Sequence, residues 1–176
     1  MKRLLAGSAL VVAALFGTAT ALPAQVGLGI GGGPTTIAGG LDDFSTGWHA
    51  QGSLSIGLPL LPFGVRGDLL YQQLPGSGAR DGQTYHQLGG FANATLDVLP
   101  IPLMPVRPYV LGGLGLVNHR VRNGDLDDGT DLGLNLGAGV RVSLLGFGGF
   151  LEAKFQNVFT DGDAHRTIPI TLGITF

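Results

Sequence analysis

The last ten residues of the chain set the pattern by which the rest is read. In Thr167 to Phe176, Ile168, Ile170, Leu172, Ile174 and Phe176 take alternate positions, with Thr171, Gly173 and Thr175 between them. Alternation at period two puts the two sets on opposite faces of a β-strand, whereas a helix would scatter them around its axis. Seven earlier segments repeat it. Val26, Leu28 and Ile30 mark the first; Trp48, Ala50, Gly52, Leu54 and Ile56 the second; Val65, Gly67, Leu69 and Tyr71 the third. The fourth sets Leu88, Gly90, Ala92, Ala94, Leu96 and Val98 against Gln87, Gly89, Asn93, Thr95 and Asp97. The sixth sets Leu132, Leu134, Leu136, Ala138, Val140 and Val142 against Asn135, Gly137, Gly139, Arg141 and Ser143, and the seventh Leu151, Ala153 and Phe155 against Glu152, Lys154 and Gln156. In the fifth, Arg107 to Asn118, Val110, Leu114 and Leu116 form the apolar face and Tyr109, Gly113 and Gly115 the other. A slip of one residue there would exchange the two.

The connections alternate as well. Those after odd segments are polar and acidic: 34 to 46 with Asp42 and Asp43, 75 to 83 with Arg80 and Asp81, 119 to 131 with Asp125, Asp127, Asp128 and Asp131, and 160 to 166 with Asp161 and Asp163. Those after even segments are apolar and built on turn formers: Leu58 to Pro62, Leu99 to Pro105, and Leu145 to Gly148. Longer loops at one end and tight turns at the other are the asymmetry of a transmembrane barrel. Each segment is about 9 to 12 residues, close to what a tilted strand needs to cross the hydrocarbon layer. A sheet in lipid cannot leave an open edge, so the strands must close on themselves. The pattern therefore predicts an all-β fold, an eight-stranded antiparallel up-and-down transmembrane β-barrel.

Charge decides which face meets lipid. Within these segments no Asp, Glu, Lys or Arg lies in the apolar register, whereas Arg66, Asp68, Asp97, Arg141, Glu152 and Lys154 all lie in the opposite one. An Arg or Lys facing lipid at mid-membrane costs about 2 to 4 kcal/mol, so the charged register is expected to line the lumen. Three positive and three negative groups are expected to pair there as a charge network, because a buried charge persists only when paired and hydrogen-bonded. A gate or narrow ion path is the sharper reading of the same residues. Structural filling is favoured, since an eight-stranded barrel is just wide enough for its side chains.

Composition agrees. The chain of 176 residues carries 32 glycines, 44% hydrophobic and only 12% charged residues, against about 25% charged in soluble domains. Inward glycines such as Gly89, Gly113, Gly115, Gly133, Gly137 and Gly139 are expected to make room for the long charged side chains. There is no cysteine, which removes disulfide frameworks and thiolate metal sites. Residues 1–24 read as a cleavable signal peptide: Lys2 and Arg3, an apolar run from Leu4 to Gly17, then Ala19-Thr20-Ala21 or Leu22-Pro23-Ala24 at the cleavage site. The run is too short for a membrane helix. Without Lys2 and Arg3, 8 basic side chains face 12 acidic ones, net −4, which disfavours a nucleic-acid partner. Residues 25–176 form the barrel domain.

Two stretches carry a resemblance: the terminal Ile170-Thr171-Leu172-Gly173-Ile174-Thr175-Phe176 and the strand opening Arg107-Pro108-Tyr109-Val110. On these the chain resembles the small outer-membrane β-barrels of the OmpA and OmpX type, including the porin-like outer membrane protein β-barrel domains, over residues 25 to 176. The resemblance implies a bacterial outer-membrane location reached through the periplasm. It also implies that Ile170, Leu172, Ile174 and Phe176 act as a C-terminal signal read by the barrel assembly machinery. No periplasmic peptidoglycan-binding domain is expected after the barrel, and Pro169 removes an amide from the closing strand, so a bulge or a strand starting just after it is expected.

Other chemistry is thin. Asn123 to Asp131 could hold calcium, but its spacing does not match an EF-hand, and a solvated loop is the better reading. His49, His86, His119 and His165 are scattered near strand ends without a Gly-x-Ser-x-Gly elbow, so neither catalysis nor a cofactor is expected. Trp48, Tyr71, Tyr85 and Phe155 to Phe159 are expected as an interfacial aromatic girdle. The functional expectation is a non-enzymatic integral outer-membrane barrel with a side-chain-filled lumen, serving envelope integrity or surface interaction through its loops. The alternatives are a narrow pore or transporter of small hydrophobic solutes, and a soluble lipocalin-like binding barrel with the apolar register inside.

Overall fold

The computed structural model describes residues 25–57, 62–98, 106–122, 129–144, 147–160 and 164–176. Residues 1–24, expected as a signal peptide, most of the three apolar turns and residues 123–128 of the candidate calcium loop lie outside the described residues. Eight strands follow in order: β1 (Gln25–Gly39), β2 (Gly47–Gly57), β3 (Phe63–Pro75), β4 (Thr84–Asp97), β5 (Val106–Arg122), β6 (Gly129–Leu144), β7 (Phe147–Phe159) and β8 (His165–Thr175). Each pairs antiparallel with its neighbour, and β8 pairs back to β1 as a closed barrel. Leu28 and Phe176 exchange backbone hydrogen bonds at 3.2 and 2.8 Å, so the seam is satisfied almost to the last residue. Closure matters because lipid offers an unpaired amide no partner.

The registers fall as the alternation predicts. Leu172 is 69% exposed and Leu116 64% on the outer surface, whereas Gln72 and Glu152 are 0% and 1% exposed inside. In β5, Val110, Leu114 and Leu116 point outward and Tyr109 is buried inward. Large apolar residues outside and amides and charges inside is the reverse of a soluble binding barrel. The lipocalin-like alternative therefore falls. The inner register is not wholly polar: Leu70, Phe91, Leu111, Val117, Phe150 and Val158 are buried there.

Three expectations need correction. The strands outrun the apolar pattern: 34–39 belong to β1, 119–122 to β5, 129–131 to β6 and 165–166 to β8, where loops were expected. A ladder is held by backbone hydrogen bonds and continues past the bilayer edge, where the demand for apolar side chains ends. As a result Arg120, Arg122 and Arg166 occupy outward positions at the loop end, and the rule that ionisable groups face only inward holds for the apolar band alone. Pro169 neither ends nor starts a strand. β8 runs through it, opposite Thr35 of β1, and the β7–β8 register skips Lys154 and Phe155 against Pro169 and Ile168. The register shift falls on β1, between Ile37 and Gly39. Finally, most inward glycines make room for rings and amides, not for charges. A Cβ at Gly133 would stand 2.9 Å from Val117 and 3.0 Å from the Phe91 ring, and one at Gly139 would stand 2.8 Å from Tyr109. Of the six glycines expected to make room for charges, Gly137 alone has a charged side chain, Lys154, as a near neighbour, at 2.7 Å.

Candidate functional site

Alternation places Arg66 and Asp68 on the inner face of β3, and Glu152 and Lys154 on that of β7. These strands stand on opposite walls, so all four side chains meet in the middle of the lumen. Arg66 Nη1 donates to Glu152 Oε2 at 2.7 Å and Nη2 to Glu152 Oε1 at 2.9 Å, a bidentate pair, while Nη2 also donates to Asp68 at 2.8 Å. Lys154 Nζ lies 3.3 Å from both Asp68 and Glu152 and donates to Gln51. Tyr109 Oη donates to Glu152 at 2.6 Å, and Asn93 Nδ2 to Asp68 at 3.0 Å. Two cations and two anions thus cancel in a site almost without solvent contact.

Asp97 and Arg141 form a separate pair. They sit 3.5 Å apart, partly exposed, toward the turn end. Of the six residues expected to form one network, four converge and two do not. Tyr109 links the groups: its hydroxyl is bound to Glu152, and the Arg141 guanidinium lies 4.2 Å over its ring. No role was expected for Tyr109, Gln51 or Asn93. Their inward parity was the available signal, but parity alone does not say which inward residues touch.

Toward the loop end the lumen is filled in layers. His49 bridges Thr35 at 3.0 Å and Thr171 at 2.9 Å. Gln156 accepts from Gln72, Gln87 and Thr167. Above them Tyr85 is hydrogen-bonded to His165 at 3.2 Å, and His119 lies 3.2 Å from Asp131. The scatter expected of the histidines holds for His49 and His86, whereas His119 and His165 come within 5.7 Å, ring to ring. Tyr85 itself is buried inward and is no part of the outer girdle, unlike Trp48, Phe155 and Phe159. Leu41 and Phe44, from the β1–β2 connection, fold over this layer onto Leu74, Tyr85 and Val121. Among the described residues no group of three metal-ligating side chains is assembled.

The row Ile170, Leu172 and Ile174 points outward from β8, and Phe176 follows it at the seam. The family profile described as outer membrane protein beta-barrel domain matches residues 7–176. The chain belongs to this family. Its place is the bacterial outer membrane, and its outward surface is in contact with the lipid of that membrane. A search among curated proteins finds no match. Solved structures are similar in fold at low identity. Neisserial surface protein A superposes with a TM-score of 0.66 at 16% identity, over 86% of this chain and 97% of that one. The N-terminal β-barrel domain of Pseudomonas aeruginosa OprF gives 0.51 at 17%, over 87% and 99%. The outer membrane enzyme PagL gives 0.51 at 14%, over 85% and 98%. One barrel thus serves an enzyme and proteins not described as enzymes, and the fold does not choose between them.

Proposed function

We propose that this chain is a non-enzymatic integral barrel, closed to solutes, that serves envelope integrity or surface interaction through its loop end. The observation that carries this reading is the central network. Arg66, Asp68, Glu152 and Lys154 span the lumen from wall to wall and bind one another, which fills it with paired side chains at that level. Breaking such a network is costly, since removing one partner of a buried pair leaves an uncompensated charge worth about 3 to 5 kcal/mol. Recordings across planar bilayers containing the protein test it. No conductance steps and no solute flux are expected; discrete openings would replace this reading with that of a narrow pore. Incubation with phospholipid vesicles should leave lipid composition unchanged, and a hydrolysed product would make the chain an enzyme. The outward row ending at Phe176 fits the further reading that the barrel assembly machinery engages the C-terminal strand.

A further inference from the structure

The outer face of β5 changes character along its length. It runs Leu114, Leu116, Asn118, Arg120, Arg122, from side chains that face lipid to two exposed arginines. With a rise of about 3.4 Å per residue and barrel tilt, Arg120 stands roughly 10 Å nearer the aqueous side than Leu116. That distance is enough to leave the hydrocarbon and enter the headgroup layer.

The neighbouring strands mark the same level. His86 of β4 is paired with Arg120, Thr84 with Arg122, and Gln73 of β3 with His86. Trp48 and Tyr71, whose amphipathic rings suit headgroup depth, pack at 5.6 Å, and Tyr71 continues to His86 at 6.1 Å. The Tyr71 hydroxyl lies 2.8 Å from His86 Nδ1. With the phenol donating to Nδ1, the imidazole proton sits on Nε2, the nitrogen turned away from Tyr71. Two guanidinium groups and one N–H therefore share a small area. Among the described residues no carboxylate shares the outer face of β3 to β6, and Asp131 points inward to His119.

We propose that this rim binds the phosphate of an anionic lipid, with His86, Arg120 and Arg122 as donors and Tyr71 orienting His86. Charge complementarity identifies the partner, for the patch is cationic, faces the membrane and lies at the depth of lipid phosphates. Neither arginine need lack other contacts. Arg120 already interacts with a neighbouring group, and a guanidinium has five N–H donors to share.

Spin-label electron paramagnetic resonance of the full barrel in phosphatidylcholine vesicles tests this, with acyl-chain-labelled phosphatidic acid or phosphatidylcholine added. The wild-type protein should retain the phosphatidic acid label in preference to the phosphatidylcholine label. Arg120→Gln with Arg122→Gln should cut that preference, by about fivefold for each arginine lost. Tyr71→Phe should lower it less, and Arg107→Gln, at the turn end, should leave it unchanged. The heat-dependent shift in gel mobility verifies that every variant is folded. No preference in the wild type, a preference that survives the double substitution, or displacement of the label by inorganic phosphate would each overturn the proposal.

Discussion

Arg66 and Glu152 face each other across the barrel from β3 and β7, and both terminal nitrogens of the guanidinium reach the carboxylate, at 2.7 and 2.9 Å. Arg66 also holds Asp68, so one side chain bridges two buried anions, and Lys154, 3.3 Å from both, supplies the second positive charge. Arg66→Met should destabilise the barrel by about 3 to 5 kcal/mol in urea unfolding from detergent or vesicles. Arg66→Met with Glu152→Met should cost less than the sum of the single changes, because no uncompensated carboxylate is then left behind. Strict additivity would mean that the two residues are not coupled.

Depth governs the cost of a charge on the outer surface. Leu114 lies midway along β5 and Val106 at its turn end, both facing out. Leu114→Arg should cost about 2 to 4 kcal/mol and Val106→Arg about 0 to 1 by the same unfolding measurement. Equal costs would contradict the assigned depths.

Space inside is tight around Phe91, which Val117 and the missing side chain of Gly133 enclose. Gly133→Leu should destabilise by about 1 to 3 kcal/mol through overpacking. Phe91→Ala should cost about 3 to 5 kcal/mol through the cavity it leaves. The two together should cost less than their sum, since the new side chain occupies the vacated space.

Removal of Phe176 should lower the amount of folded barrel recovered from outer membranes in cells while leaving refolding of purified protein into vesicles nearly intact. Folding yield after extraction, read by gel mobility without boiling, separates the two. An equal loss in both settings would assign Phe176 to the seam with Leu28 alone.

What could be read from sequence follows from where one physical demand acts on every residue. Within the hydrocarbon each outward position must be apolar, so Leu69, Leu114 and Leu172 announce strand, face and environment together. Beyond it the demand lapses while the ladder continues, and the ends of β1 and β5 passed for loops. Arg120 and Arg122 were hidden for the same reason. Inside, parity told that Arg66, Asp68, Asp97, Arg141, Glu152 and Lys154 face the lumen. Which of them meet depends on how strand tilt and stagger bring β3 opposite β7, and alternation along a single strand carries no trace of that. Tyr109 shows the same gap, an aromatic in a polar register whose two partners come from other strands.

The account stands on which side of each strand meets lipid, and the chain's lack of cysteine makes that directly measurable. Single cysteines at Leu69, Leu114 and Leu136, and in turn at Gln72 and Thr171, can carry a fluorescent label in vesicles doped with lipids bearing a quencher on the acyl chain. Strong quenching at the first three and weak quenching at the last two is the expected result. The reverse, or equal quenching in both registers, would contradict it.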